Sequence, residues 1–228
     1  MPPAPSRRRP TALLVAAVLA VAGAVLVVVA ALGGGPPAPA AETGPRDSGA
    51  VGAAGAVPAD ARPAGRPAGA VLPPSPPASI SIPAIGVESV VNEVGLAPDG
   101  TLEVPQPGPL YDQAAWYRGS AAPGFRGPSV ILGHVDSAAE GPSVFYDLGR
   151  IKPGQEIVVK RDDGIAATFR VDDVRSFPKD AFPSQSVYGA TDRAKLRLIT
   201  CSGSFAEDTG SYRDNTIVFA HLVGSAGP

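Results

Sequence analysis

Reactive side chains are scarce in this chain: its 228 residues include one cysteine, Cys201, and two histidines, His134 and His221. A lone cysteine cannot close an intrachain disulfide, which leaves a buried bystander, an intermolecular partner or a nucleophile. A nucleophilic thiol needs a base or cation beside it to form thiolate, and a donor for charge developing on the attacked carbonyl. His134, in ILGHVDS, ends an apolar run beside small residues and is the better placed base. His221, inside TIVFAHLV, reads as a strand histidine satisfied by neighbours or solvent. Arg213 follows Cys201 by twelve residues and, taken alone, reads as a surface cation.

The elements around these residues are those of a β protein. In Leu196–Thr200, leucines alternate with Arg197 and Ile199, so a strand there turns Leu196 and Leu198 to one face and leaves Cys201 at its end on the other. Ser202–Tyr212, with Gly203 and Gly210, reads as a loop, and Thr216–Val223 as the next strand. Arg213 then returns beside Cys201 if the two strands are neighbours. Further strands are expected over Ser79–Ile85, Glu88–Gly95, Thr101–Val104, Ser129–Val135, Glu156–Arg161 and Ala167–Phe177, with a short helix over Ser143–Gly149. Turns fall at Pro98-Asp99-Gly100, Lys152-Pro153-Gly154 and Asp162-Asp163-Gly164. Short apolar runs punctuated this way belong to an all-β sandwich or barrel.

Composition divides the chain before this domain. Residues 1–11 form a basic tail with Arg7, Arg8 and Arg9, and Ala12–Leu32 is 21 residues without a charge. Such a run is long enough to cross a bilayer, and the arginines ahead of it direct everything after residue 32 outside. The competing readings are a cleavable signal peptide, for which Ala38-Pro39-Ala40 has the small-x-small form, and a twin-arginine signal, which Pro10 and Thr11 argue against. Residues 33–78 hold 11 prolines, 9 glycines and 13 alanines and no aromatic residue, the composition of a linker with nothing to bury. From residue 79 onward, 18 acids against 13 bases give a net charge of −5, which argues against a nucleic-acid partner, since phosphate binding needs a basic surface. The acidic pairs Asp162-Asp163 and Asp172-Asp173 read as solvated turns, one cysteine and two distant histidines make no zinc pattern, and no nucleotide fingerprint is present. No metal or cofactor is expected.

The segments SISIPAIGVES, DGTLEVPQ, AAWY, GPSVILGHVDS, GPSVFYDLGRIKPGQEI, LRLITCSGSF and YRDNTIVFAHLV together resemble a sortase, within that family the class F group of high-GC Gram-positive bacteria. The resemblance spans residues 79–223 and includes an ordered set of histidine at a strand end, Thr-Cys closing a later strand and arginine opening the next, filled here by His134, Thr200-Cys201 and Arg213. It implies an eight-stranded β-barrel with short helices over residues 79–228, and a membrane-anchored cysteine transpeptidase with its domain outside the cell. Its partners would be surface proteins bearing an LPxTG-type sorting signal and an amine from a peptidoglycan precursor or a pilin. Cys201 would be the nucleophile, His134 the acid and base, and Arg213 the donor to substrate or oxyanion. Thr200 would contact substrate, and Phe182, Val187 and Tyr188, in the segment 178–195, would wall the groove. Two readings compete: another peptidoglycan-directed cysteine enzyme of the L,D-transpeptidase kind, which would carry a histidine-glycine pair just before its cysteine, and a non-catalytic stalked domain with an inert thiol.

Overall fold

The computed structural model describes residues 71–139 and 141–227. The expected membrane span 12–32 and most of the expected linker lie outside these residues; among them no helix is long and apolar enough to cross a membrane. The strands are β1 (Pro77–Ile82), β2 (Val87–Val94), β3 (Ala114–Tyr117), β4 (Gly127–Leu132), β5 (Asp136–Ser137), β6 (Gly141–Pro142), β7 (Glu156–Arg161), β8 (Ala166–Pro178), β9 (Ala194–Ala206) and β10 (Ser211–Ala226). One short helix, α1, covers Ser184–Tyr188. Eight of the strands close into a barrel in the order β1-β2-β3-β4-β9-β10-β8-β7, while β5 and β6 form a separate two-residue ladder.

The period of two explains most of the wall. Ile80 and Ile82 of β1, Ile157 and Val159 of β7, and Ala167, Phe169 and Val171 of β8 point inward and are buried, with polar or smaller residues between them. β4, β9 and β10 break this alternation because they are covered on both faces. Leu196, Leu198 and Ile131 fill the barrel, whereas Ile199, Leu132, Val130, Ile217 and Phe219 form a second cluster with Val187 of α1. A strand buried on both sides reads as a continuous apolar run, as GPSVIL does. Arg197 helps to hold this cover: its Nε donates to the Ser186 carbonyl at 3.2 Å and its guanidinium lies 4.7 Å from the Phe219 ring centre.

Four expectations change. The run Thr101–Val104 is not a strand; only Leu102 pairs, with Leu96, and the strand in that region is Ala114–Tyr117, whose β2 neighbour runs parallel to it. Ser143–Gly149 is a turn ending in a 3-10 helix over Leu148–Arg150. The strand carrying Cys201 continues to Ala206, and the loop expected over Ser202–Tyr212 shrinks to a turn at residues 207–210. The end of the proline-rich stretch is part of the barrel. Leu72 is buried and donates its N–H to the Gly124 carbonyl at 2.8 Å, and Arg161 donates to the carbonyls of Pro73 (2.8 Å) and Pro123 (2.7 Å) while pairing with Asp163. The side chain of Arg161 is fully buried, so these acceptors are what make its burial tolerable.

The directions of the strands separate the two ends of the barrel. β4 and β9 run parallel, and β10 returns antiparallel to β9, so the ends of β4 and β9 and the start of β10 meet at one mouth. β1 starts, and β7 finishes at Arg161, at the opposite mouth.

Candidate active site

Cys201 stands in β9 between β4 and β10. In the parallel ladder Leu132 pairs with Ile199, so His134 and Cys201 lie two steps further along their respective chains, at the same level. On the other side Cys201 pairs with Asn215. The pairing then shifts from Asp214↔Ser202 to Tyr212↔Phe205, which puts one extra residue of β9 opposite Arg213. Gly203 makes this bulge possible: its φ is +79°, and a Cβ there would run into the Asp214 carboxylate. By alternation from Asn215, Arg213 shares the face of Cys201. Arg213 is exposed and has no ion pair or hydrogen bond to another described residue, and the Cys201 thiol is free and half-buried.

His134 is fixed from several sides. Its carbonyl accepts the Phe145 N–H at 3.0 Å, and Gly133 lets the segment 143–145 close in, since a Cβ there would meet Val144 and Phe145. Its ring stacks on Tyr111, centroids 4.0 Å apart and planes 7° from parallel. Its Nε2 lies 2.8 Å from the Pro105 carbonyl, which can only accept, so Nε2 carries the hydrogen and Nδ1 of the neutral ring is the basic nitrogen.

Two further residues, Asp136 and Tyr212, join the segments that carry His134 and Arg213. The Tyr212 hydroxyl donates to the Asp136 carboxylate, and the Tyr111 hydroxyl donates to the Asp136 carbonyl at 3.0 Å. Burial, the bond to Asp136, and the charges of Asp136, Tyr146 and Cys201 push the Tyr212 phenol well above its usual range, so it remains a donor. Tyr111, Asp136 and Tyr212 escape sequence reading because no period marks them. The signal that was there is position: Asp136 follows His134 by two residues and Tyr212 precedes Arg213.

The expected substrate contacts divide. Thr200 is buried and its hydroxyl donates to the Gly133 carbonyl at 2.9 Å, so its proton is committed to joining β9 to the His134 segment. Val187 is wholly buried in the outer cluster and cannot wall a groove. Tyr188 is exposed, with Phe182 beside it at 6.0 Å between ring centroids. Tyr188 lines a cavity of about 740 Å³ together with Leu96, Leu102, Tyr117, Phe125 and Val130. This cavity includes none of Cys201, His134 and Arg213. Away from the mouth, His221 pairs with Asp172, which also meets Lys195 at 3.3 Å, and Asp173 pairs with Arg175. Among the described residues no cluster of three or more His, Cys, Asp or Glu is arranged to hold a metal.

A thiol with an imidazole level with it on one side and, on the other, a guanidinium unpaired among the described residues is equipped for acyl transfer. The sortase-domain family model matches residues 80–223, more than half of the chain and nearly all of the barrel. The chain belongs to the sortase family. Solved sortases similar to it include a sortase D5 transpeptidase of Clostridium perfringens (21% identity over 65% of this chain and 79% of that one, TM-score 0.47). Two others are a lid mutant of sortase A from Corynebacterium diphtheriae (22%, 67% and 72%, 0.49) and sortase C-1 from Actinomyces oris (22%, 64% and 72%, 0.49). No curated protein matches the chain. As a sortase it is a cysteine transpeptidase by family, and Cys201, its one cysteine, is the thiol available for that chemistry.

Proposed function

We propose that this sortase cleaves an LPxTG-type sorting signal between threonine and glycine and passes the threonine acyl group to an amine of the cell wall or of a pilin. The observation that carries the reading is the register that sets His134 and Arg213 on either side of Cys201. Nδ1 of His134 takes the thiol proton as the Cys201 sulfur adds to the threonine carbonyl carbon, and the guanidinium of Arg213 faces the oxygen as it gains charge. The bond to the glycine nitrogen breaks as His134 supplies that nitrogen with a proton, leaving a thioester. The acceptor amine, deprotonated by His134, then adds to the thioester carbon and expels Cys201 as thiolate.

The rest of the signal reaches back from the thiol toward the cavity beside Tyr188. Val130, which lines the cavity beside Tyr188, pairs with Arg197, four residues before Cys201. That is about 13 Å at 3.3 Å per residue, the span of four extended residues such as those from the leucine to the threonine of the signal. We assign the enzyme to the class F kind on the segments quoted above, and Ala12–Leu32 to a membrane anchor that keeps the barrel outside the cell.

The test is the full chain incubated with an LPxTG peptide and a simple amine, followed by mass spectrometry. Cleavage after threonine, an acyl adduct on Cys201 and loss of both in Cys201→Ala are expected. An intact peptide, or turnover that survives Cys201→Ala, overturns the reading.

A further inference from the structure

His134 and Arg213 reach the thiol from different strands, with β9 between them, so something must hold their separation. The ladder alone does it poorly. His134 lies beyond the end of β4, and Arg213 sits where the β9–β10 pairing shifts register. Both departures from regular pairing fall where the two side chains must be most accurately set.

The Asp136–Tyr212 bond bridges that gap. Tyr212 is the residue before Arg213, Asp136 is two residues after His134, and their side chains meet beyond the end of the regular β4–β9 pairing. The connection continues to the imidazole, because the Asp136 carbonyl accepts from the Tyr111 hydroxyl while the Tyr111 ring stacks on His134. The Asp136 backbone is held in turn by the short β5–β6 ladder, in which it pairs with Pro142. One carboxylate thus receives the strand that carries the cation, and its own backbone steadies the ring that serves as base.

We infer that Tyr212 is a positioning residue of the transpeptidation site: through Asp136 it fixes the spacing of His134 and Arg213 across Cys201, without touching substrate. The inference rests on the transpeptidase reading above. Misplacement of a reacting group by about 1 Å costs up to roughly 100-fold in rate, so loss of the tie acts on turnover more than on binding.

The experiment is steady-state kinetics of the full chain with an LPxTG peptide and a simple amine, normalised to active sites by alkylation of Cys201. Tyr212→Phe is expected to lower kcat at least about 10-fold and to leave KM within about 2-fold. Asp136→Ala should match it, while Asp136→Asn, which keeps an acceptor for the phenol, should recover most of the rate. The double variant Tyr212→Phe/Asp136→Ala should be no slower than either single change, because both remove one interaction. If one variant fails to fold, the other still removes the tie. An active wild type with Tyr212→Phe at full kcat, Asp136→Asn as slow as Asp136→Ala, or additive losses in the double variant overturns the inference. A wild type that leaves the peptide intact strikes instead at the transpeptidase reading.

Discussion

Two arginines, one at each mouth of the barrel, are used in opposite ways. Arg161 has no exposed side chain and spends its donors on Asp163 and on the carbonyls of Pro73 and Pro123. Arg213 is exposed, beside the thiol, with its guanidinium uncommitted among the described residues. The same kind of donors therefore hold a fold where they are turned inward on a carboxylate and on backbone carbonyls, and stay uncommitted where the facing strand bulges. A site residue here is recognised by what it lacks.

The comparison is sharpest when both arginines are removed in turn. Arg213→Ala should reduce transpeptidation by about 100- to 1000-fold while stability stays within about 0.5 kcal/mol of the parent. Arg161→Ala should cost about 2–4 kcal/mol in denaturant unfolding, with turnover per folded molecule little changed. If Arg213→Ala unfolds the barrel, or Arg161→Ala abolishes turnover in folded protein, the division of labour is wrong.

A smaller effect is expected at the bulge. Gly203→Ala must hold a side chain at positive φ against Asp214, at a cost of about 1–2 kcal/mol from the backbone alone. Because relaxing the bulge moves Arg213, turnover should fall as well, which a stability loss at the Arg161 end would not produce. Unfolding curves and kcat measured on the same preparations separate these outcomes.

The smallest effect concerns acid. The hydrogen bond and charge of Arg161 hold the Asp163 carboxyl below the usual carboxylate range, despite some opposing desolvation. A carboxyl with a lowered folded value stabilises fully above its unfolded value of about 3.9, and that contribution disappears as pH falls through the folded value. Asp163→Asn should therefore melt below the parent at pH 7, and the two melting temperatures should converge as pH drops below about 4. A gap that persists unchanged to pH 2 would mean that Asp163 contributes nothing through its charge.

Much of this was legible in the chain wherever structure is periodic. Leu196 and Leu198 point into the barrel and Cys201 does not, as their alternation required. What could not be read depends on partners far away in sequence. Pro73 and Ser75 look like linker until Arg161 and Asp163, 88 residues on, are found holding them. AAWY is too short and too rich in alanine to announce a strand, whereas TLEV alternates well and yet has only Leu102 paired. Val187 and Tyr188 are neighbours with the same apolar promise, and only their placement on α1 decides that one is core and the other surface. Around the thiol, composition singled out Cys201 and position favoured His134, whereas the role of Arg213 came from the family resemblance. The tie through Asp136 is a side-chain contact between single residues, and no pattern encodes it.

The grip of Arg161 on residues 71–76, the strap that leads into β1, has a mechanical consequence. The strap feeds β1, and in the closed order β1 and β9 are diametrically opposite, four strand junctions apart either way round. Tension between Leu72 and a protein held on Cys201 therefore divides between two arcs and pulls along the strands, loading their ladders in shear. One arc passes through the β3–β4 ladder, which has two residue pairs, and the other through the long β8–β10 and β9–β10 ladders. The second arc is shortest at the β1–β7 ladder, which still has four residue pairs against the two of β3–β4, so it bears the larger share of the load and the β9–β10 hairpin that carries Cys201 is not its weak point.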